Sequence, residues 1–191
     1  MARVTMLASR HHSLTSLVSV AMLILVGYAG SGKSSLAKRL AKALRVSYVD
    51  TDTLVEQSEG ATIADIFYYQ GEEYFRRSER EVLERLAQER YEGIVATGGG
   101  LPAWEDNMEL LNSIGTTIYL QRSPEQIMLR LSAYGREKRP MFRGKSDEEL
   151  LSFMREHIAQ REPYYSRANI VVDCNTMSDD AVVQYIIERV S

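Results

Sequence analysis

With one cysteine, Cys174, in 191 residues, the chain can close no internal disulfide, so a scaffold stapled by cystines is excluded and the reducing cytoplasm is the expected location. Three scattered histidines, His11, His12 and His157, have no zinc-ligand spacing. The sequence also lacks an internal repeat, a low-complexity tract and an apolar run long enough to span a bilayer. An excess of one charge sign is lacking: a net charge of −3 and a pI near 5.7 give no electrostatic footprint for nucleic acid or an anionic membrane, so neither is an expected partner. Any basic chemistry must be local. What remains, 45% hydrophobic and 26% charged residues, describes one globular domain that buries about 70% of its unfolded surface without a structural metal.

The first residues have the outline of a signal peptide, with Arg3, Arg10, His11 and His12 ahead of an apolar stretch over 17–26. That stretch runs without a break into the most informative segment of the chain, so cleavage would delete a core strand. Residues 1–21 are therefore expected to be a poorly ordered extension, and 22–191 the folded domain.

The informative segment is Gly27-Tyr28-Ala29-Gly30-Ser31-Gly32-Lys33-Ser34, which fits G-x-x-x-x-G-K-[ST] directly after the strand-like run Met22-Leu23-Ile24-Leu25-Val26. Glycines let such a loop curl its N–H groups toward phosphate oxygens, a lysine in the place of Lys33 reaches the β and γ phosphates, and the Ser34 hydroxyl can ligate Mg²⁺. A nucleoside triphosphate is the implied ligand. Leu36, Ala37, Leu40 and Leu44 follow at helical spacing, so the loop opens a helix whose positive N-terminus adds to the phosphate site.

Short strands then alternate with helices. Strands are expected at 46–50, 93–97, 116–120 and 169–172, and helices at 62–69, 72–90, 105–112 and 147–160, with one opened by Ser123-Pro124 and one closing the chain. A polar loop is expected over 133–145. This order predicts an α/β fold with a parallel sheet covered on both faces and ligands beyond the carboxyl ends of its strands.

Asp50-Thr51-Asp52 ends the second strand, where a two-residue period would put both carboxylates on one side. Asp50 could then serve Mg²⁺ through water and Asp52 an acceptor hydroxyl; the alternative is a cap for a helix starting at Leu54. Gly98-Gly99-Gly100 follows a buried strand and lets backbone approach a ligand, or else is a flexible turn. No acid ends that strand, which argues against a motor NTPase and leaves the metal to Asp50. Arg76 and Arg161 lie on inward helix stripes and suit a small carboxylate, or else pair with Glu73, Glu79 or Glu162. The segment from Tyr134 to Lys145 gathers cations between glycines, as a lid over ATP carrying Arg136 or Arg139 would, or as a solvated basic loop. Cys174 and His157 read as packing residues.

Together these motifs resemble the shikimate kinase family over nearly everything from Met22 onward. The likeness rests on the loop from Gly30 to Ser35, on Asp50-Thr51-Asp52, and on Ala64-Asp65-Ile66-Phe67 with Gly71-Glu72-x-x-Phe75-Arg76. Gly98-Gly99-Gly100, Arg139-Pro140 and Arg161-x-Pro163-x-Tyr165 complete it. The resemblance implies a three-layer P-loop kinase fold with a central parallel five-stranded sheet and a mobile lid at about 133–146. It implies ATP and Mg²⁺ as cofactors, shikimate as the substrate phosphorylated at its 3-hydroxyl, and a cytoplasmic monomer in aromatic amino-acid biosynthesis. Gly30, Ser31, Gly32, Lys33, Ser34, Ser35 and Arg139 would then hold ATP, and Ser34 and Asp50 the metal. Asp52, Arg76, Gly99 and Arg161 would hold shikimate, with Lys33, Asp52 and Arg139 acting on the reacting groups. Met141-Phe142 stands where the family usually has two leucines. Another small-molecule kinase on the same scaffold, for gluconate or a nucleoside monophosphate, and a non-catalytic ATP-binding module remain as alternatives.

Overall fold

Leu23, Ile24, Leu25 and Val26 are all buried, as a strand in the middle of a sheet covered on both faces must be. In the computed structural model, which describes residues 22–131, 133–137 and 139–190, they form β1 (Leu23–Val26). The other strands are β2 (Tyr48–Asp50), β3 (Ile94–Ala96), β4 (Thr116–Gln121) and β5 (Ile170–Asp173). All pairings are parallel, in the order β2-β3-β1-β4-β5, so the expected five-stranded sheet is present. The expectation for residues 1–21 lies outside the described residues.

Alternation along the strands divides the core in two. Ile24, Val26, Val95 and Tyr119 face one side. There they meet α2 (Thr51–Glu59), α3 (Ile63–Tyr69), α4 (Gly71–Gln88), α5 (Asn107–Ile114), α6 (Pro124–Arg130) and α8 (Asp147–Tyr165). Leu23, Leu25, Ile94, Ala96, Ile118 and Leu120 face the other side, against α1 (Lys33–Leu44) and α9 (Asp179–Val190). The chain leaving β1 enters α1 on one face and the chain leaving β3 reaches α5 on the opposite face. Between those strands a crevice opens at their carboxyl ends, where such sheets bind ligands.

The caps follow the sequence. Thr62 accepts the Asp65 N–H at the start of α3, Ser123 accepts that of Gln126 ahead of Pro124, and Ser146 and Glu149 form a reciprocal capping box on α8. Three expectations need correction. First, α8 continues past residue 160, through Pro163 to Tyr165. Tyr165 is fully buried, with its ring 5.2 Å from that of Tyr119, and this anchor offsets the backbone hydrogen bond a proline forgoes. Second, α2 starts at Thr51 rather than Leu54. Third, the segment expected to be a loop over 133–145 contains α7 (Ala133–Glu137) and a 3₁₀ turn, Pro140–Phe142.

Arg122, just past β4, was not singled out by any motif, yet its side chain is nearly inaccessible. Its guanidinium donates to the Ser31 carbonyl at 2.9 Å and the Cys174 carbonyl at 2.6 Å, and pairs with Asp179 at 3.3 Å. It therefore braces the loop after β1 against the loop after β5. Deleting it strands two buried carbonyls, while Asp179 keeps its pair with Arg130, so Arg122→Ala should lower the unfolding free energy in urea by about 3 kcal/mol. A loss below about 1 kcal/mol would show that the brace is dispensable.

Candidate active site

The loop between β1 and α1 is held by its own lysine. Lys33 Nζ donates to the carbonyls of Gly27 at 2.7 Å and Tyr28 at 2.9 Å, which curls the intervening backbone around it. Burial pushes the Lys33 ammonium down to about 8, against the opposing pull of the Asp52 and Asp50 carboxylates. Gly32, at φ +101°, caps α1 without a side chain, and the first turn carries no acid. The free N–H groups and positive end of the helix are thus left for an external anion.

Of the expected residues, Gly30, Gly32, Lys33, Ser34, Ser35, Asp50, Asp52, Gly99 and Arg139 line one cavity of about 350 Å³. Ser31 does not: it is fully buried, its carbonyl bound by Arg122 and its Oγ without a partner among the described residues. Ser34 Oγ donates to Asp50 Oδ2 at 2.5 Å, so a hydroxyl and a carboxylate oxygen meet at the cavity wall. Two hard oxygen donors suit Mg²⁺, which keeps waters and phosphate oxygens in its remaining positions.

The two aspartates do not share a strand. Asp50 ends β2 and caps α2 by accepting the Asp52 N–H at 3.1 Å, while Asp52 belongs to the first helical turn. The period-two argument is thus wrong about how they converge. The cap alternative and the cavity position are both realised at Asp50. Burial, with the Asp50 charge next, raises the Asp52 carboxyl to about 6, against Lys33 and Arg76.

Three elements converge on the glycine run. The Gly98 N–H donates to the fully buried Thr51 Oγ1 at 2.8 Å, and Tyr165 Oη donates to the Gly99 carbonyl at 2.5 Å. A Cβ on residue 98 would collide with Glu79 Oε1 and, at 2.5 Å, with Asp52 Oδ1. Thr51 and Tyr165 stood in the quoted motifs without an assigned role, because a motif does not say which distant backbone group a buried hydroxyl will hold.

The arginines divide. Arg139 is on the cavity wall, donating to the Gly135 carbonyl; burial lowers its pKa, opposed by Asp52. Arg136 instead pairs with Asp147 at 2.6 Å. Arg76 realises the salt-bridge alternative: it is buried between Glu79 at 2.5 Å and Glu72 at 3.0 Å, packed against Gly100. Arg161 does not form the expected pair with Glu162. Its Nη1 contacts only the His157 carbonyl, at 3.5 Å, among the described residues, and Glu162 turns instead to Tyr119 and Gln121. Neither Arg76 nor Arg161 lines the cavity, and both lower the pKa of His157 and of Tyr165 through their charge. Arg130, at the end of α6, does line it and pairs with Asp179 at 2.9 Å. Nothing at sequence level distinguishes Arg130 from an ordinary helix C-terminal cation.

Next to the loop, Tyr28 Oη meets His157 Nδ1 at 2.8 Å, and the Tyr28 ring lies 6.2 Å from that of buried Phe142. Burial, then Arg161, drives His157 down to about 4, so the imidazole is neutral near pH 7. This is the packing role expected of it. Phe142, one of the two departures from the leucines usual in the family, fills the contact between the 3₁₀ turn and the loop after β1.

A family model described as shikimate kinase matches residues 29–191. The chain is 39% identical over 164 residues to a shikimate kinase of Parabacteroides distasonis, covering 86% of this chain and 94% of that one. With a shikimate kinase of Bacteroides fragilis it shares 33% over 167 residues, covering 87% and 92%. Its fold is similar to the crystal structure of the Bacteroides thetaiotaomicron shikimate kinase, with TM-score 0.79, 31% identity, and coverage of 88% and 97%. It is similar also to the Acinetobacter baumannii shikimate kinase in complex with shikimate, with TM-score 0.80, 29% identity, and coverage of 90% and 93%. By sequence and by fold, the chain belongs to the shikimate kinase family.

Proposed function

We propose that the protein transfers the γ-phosphoryl group of ATP to the 3-hydroxyl of shikimate, releasing ADP and shikimate 3-phosphate for the biosynthesis of aromatic amino acids. The observation that carries this reading is that the phosphate loop and Asp52 line one cavity, within a chain of this family. We assign the triphosphate to the loop N–H groups, Lys33 and Arg139, and shikimate to Asp52, Gly99, Arg76 and Arg161. Arg161 lacks a carboxylate partner among the described residues, which leaves its guanidinium to take the substrate's carboxylate in two parallel hydrogen bonds. Arg76, already paired, contributes a fixed positive field and its remaining donor sites.

Ser34 and Asp50 would hold Mg²⁺, which neutralises phosphate charge when bound. Asp52 aims the hydroxyl and accepts its proton, and Lys33 and Arg139 stabilise charge on the transferring group. The segment 133–146 is proposed to close over ATP; buried Phe142 supplies its contact with the loop. The protein is read as a monomer, and buried, unpaired Cys174 suits the cytoplasm.

A coupled ADP-release assay with shikimate, gluconate and AMP as acceptors tests the reading. Turnover with shikimate alone is expected, and ADP formation indifferent to shikimate would overturn it. In the same assay Asp52→Asn should lower kcat by about 10² or more, and near-normal turnover would remove Asp52 from the chemistry. Arg161→Met would leave the carboxylate unpaired in a desolvated pocket, costing about 2–5 kcal/mol, roughly thirtyfold to several thousandfold in kcat/KM. An effect below about threefold would place that carboxylate elsewhere.

A further inference from the structure

Reaction between a bound triphosphate and a bound acid requires the two binding elements to be held at a fixed separation, since a misplacement of about 1 Å can cost about 10² in rate. Those elements are distant in sequence: the loop after β1 carries Lys33, and α8 carries Arg161. At and beyond Arg161, α8 is tied to the sheet by Glu162, which accepts from Tyr119 at 2.6 Å and Gln121 at 3.0 Å, and by Tyr165 on the Gly99 carbonyl. One turn before Arg161 stands His157, its ring edge-on to that of Tyr28 at 5.6 Å between centroids and 4.8 Å from that of Phe153. A leucine or phenylalanine would pack there as well. Packing explains the ring, but not the hydrogen bond that its Nδ1 shares with Tyr28 Oη at 2.8 Å.

Tyr28 is 4% exposed, and among the described residues its hydroxyl has no other hydrogen-bond partner. A buried hydroxyl needs an acceptor, so Oη donates, Nδ1 accepts, and the imidazole proton sits on Nε2. Such a pair contributes little more stability than two apolar side chains of the same shape, because both polar groups must first be stripped of water. What it adds is direction. The Tyr28 carbonyl accepts from Lys33 Nζ at 2.9 Å, and the His157 carbonyl from Arg161 Nη1 at 3.5 Å. The Tyr28 ring also lies against Phe142, whose N–H donates to the Arg139 carbonyl at 2.8 Å. We propose that His157 is a positioning residue: its hydrogen bond with Tyr28 fixes the turn of α8 that presents Arg161 against the loop that presents Lys33. The proposal rests on the assignment of Arg161 to the carboxylate of shikimate. One tyrosine and one histidine then set the distance between the group that holds the phosphates and the group that holds the acceptor.

The hydrogen bond is tested without substrate. In protein labelled with ¹⁵N at histidine, the resonances lost in His157→Asn identify the ring, and at pH 7 they should be those of a neutral imidazole protonated at Nε2. A proton on Nδ1 would overturn the proposal. The second test uses the shikimate assay at saturating ATP. His157→Leu and Tyr28→Phe each remove one half of the pair and keep the space filled; each should lower kcat/KM for shikimate about tenfold, with the Kd for ADP held within about twofold. His157→Asn, whose side-chain oxygen can take the place of Nδ1, should recover most of that loss, which a need for packing alone would not produce. In an Arg161→Met background, His157→Leu should cost less than about twofold more, because the group it positions is gone. Losses below about threefold in both single variants, no recovery in His157→Asn, or a further loss of about tenfold in the Arg161→Met background would each overturn the proposal. A wild-type protein that turns over no shikimate would remove the assigned reaction and the proposal together, whereas wild-type turnover matched by the variants would remove the proposal alone.

Discussion

The absence of a side chain at Gly98 is the constraint on which the rest of the site depends. Its N–H is held by Thr51 at the start of α2, its Cα is flanked by carboxylates from α2 and α4, and the next carbonyl is gripped by Tyr165 at the end of α8. Three helices that pack on one face of the sheet are therefore registered to each other through backbone leaving β3. Beside it, the loop leaving β1 is curled around Lys33 and braced from behind by Arg122. The crevice between two adjacent strands whose chains depart to opposite faces is what brings these two stretches together.

Burial governs the electrostatics of that crevice. Lys33, Asp52, Glu79 and Arg139 all have their charged forms disfavoured by desolvation, and each is partly restored by an opposite charge nearby. A compact group of cations and acids held in a largely buried setting requires little reorganisation when charge moves. Phosphoryl transfer, with its loose transition state, depends chiefly on such pre-set charges and on position.

Much of this was legible in the sequence, for identifiable reasons. The phosphate loop combines a steric requirement, glycine at positive φ, with a lysine at fixed spacing, and both survive as a local pattern. The sheet was legible because fully buried parallel strands are short apolar runs separated by helical periods. Boundaries were less so: Asp52 read as strand because a helix beginning directly at a strand's last residue leaves no gap in the pattern. Contacts between distant elements were least legible. Thr51, Tyr165, Arg122 and Arg130 owe their roles to partners 47, 66, 91 and 49 positions away, a separation at which spacing carries no information. Arg76 illustrates the limit from the other side. Its inward direction was readable, but its carboxylate partners were settled only by the packing of α4.

The most direct measurement is on Gly98→Ala. One methyl group placed between Asp52 and Glu79 should leave a cooperatively unfolding protein, because the colliding atoms are ends of side chains that can swing aside, yet displace both carboxylates from their positions. The account predicts that shikimate phosphorylation then falls by about 10² or more in kcat/KM while cooperative unfolding in urea is retained. A folded Gly98→Ala variant with wild-type kcat/KM would contradict it.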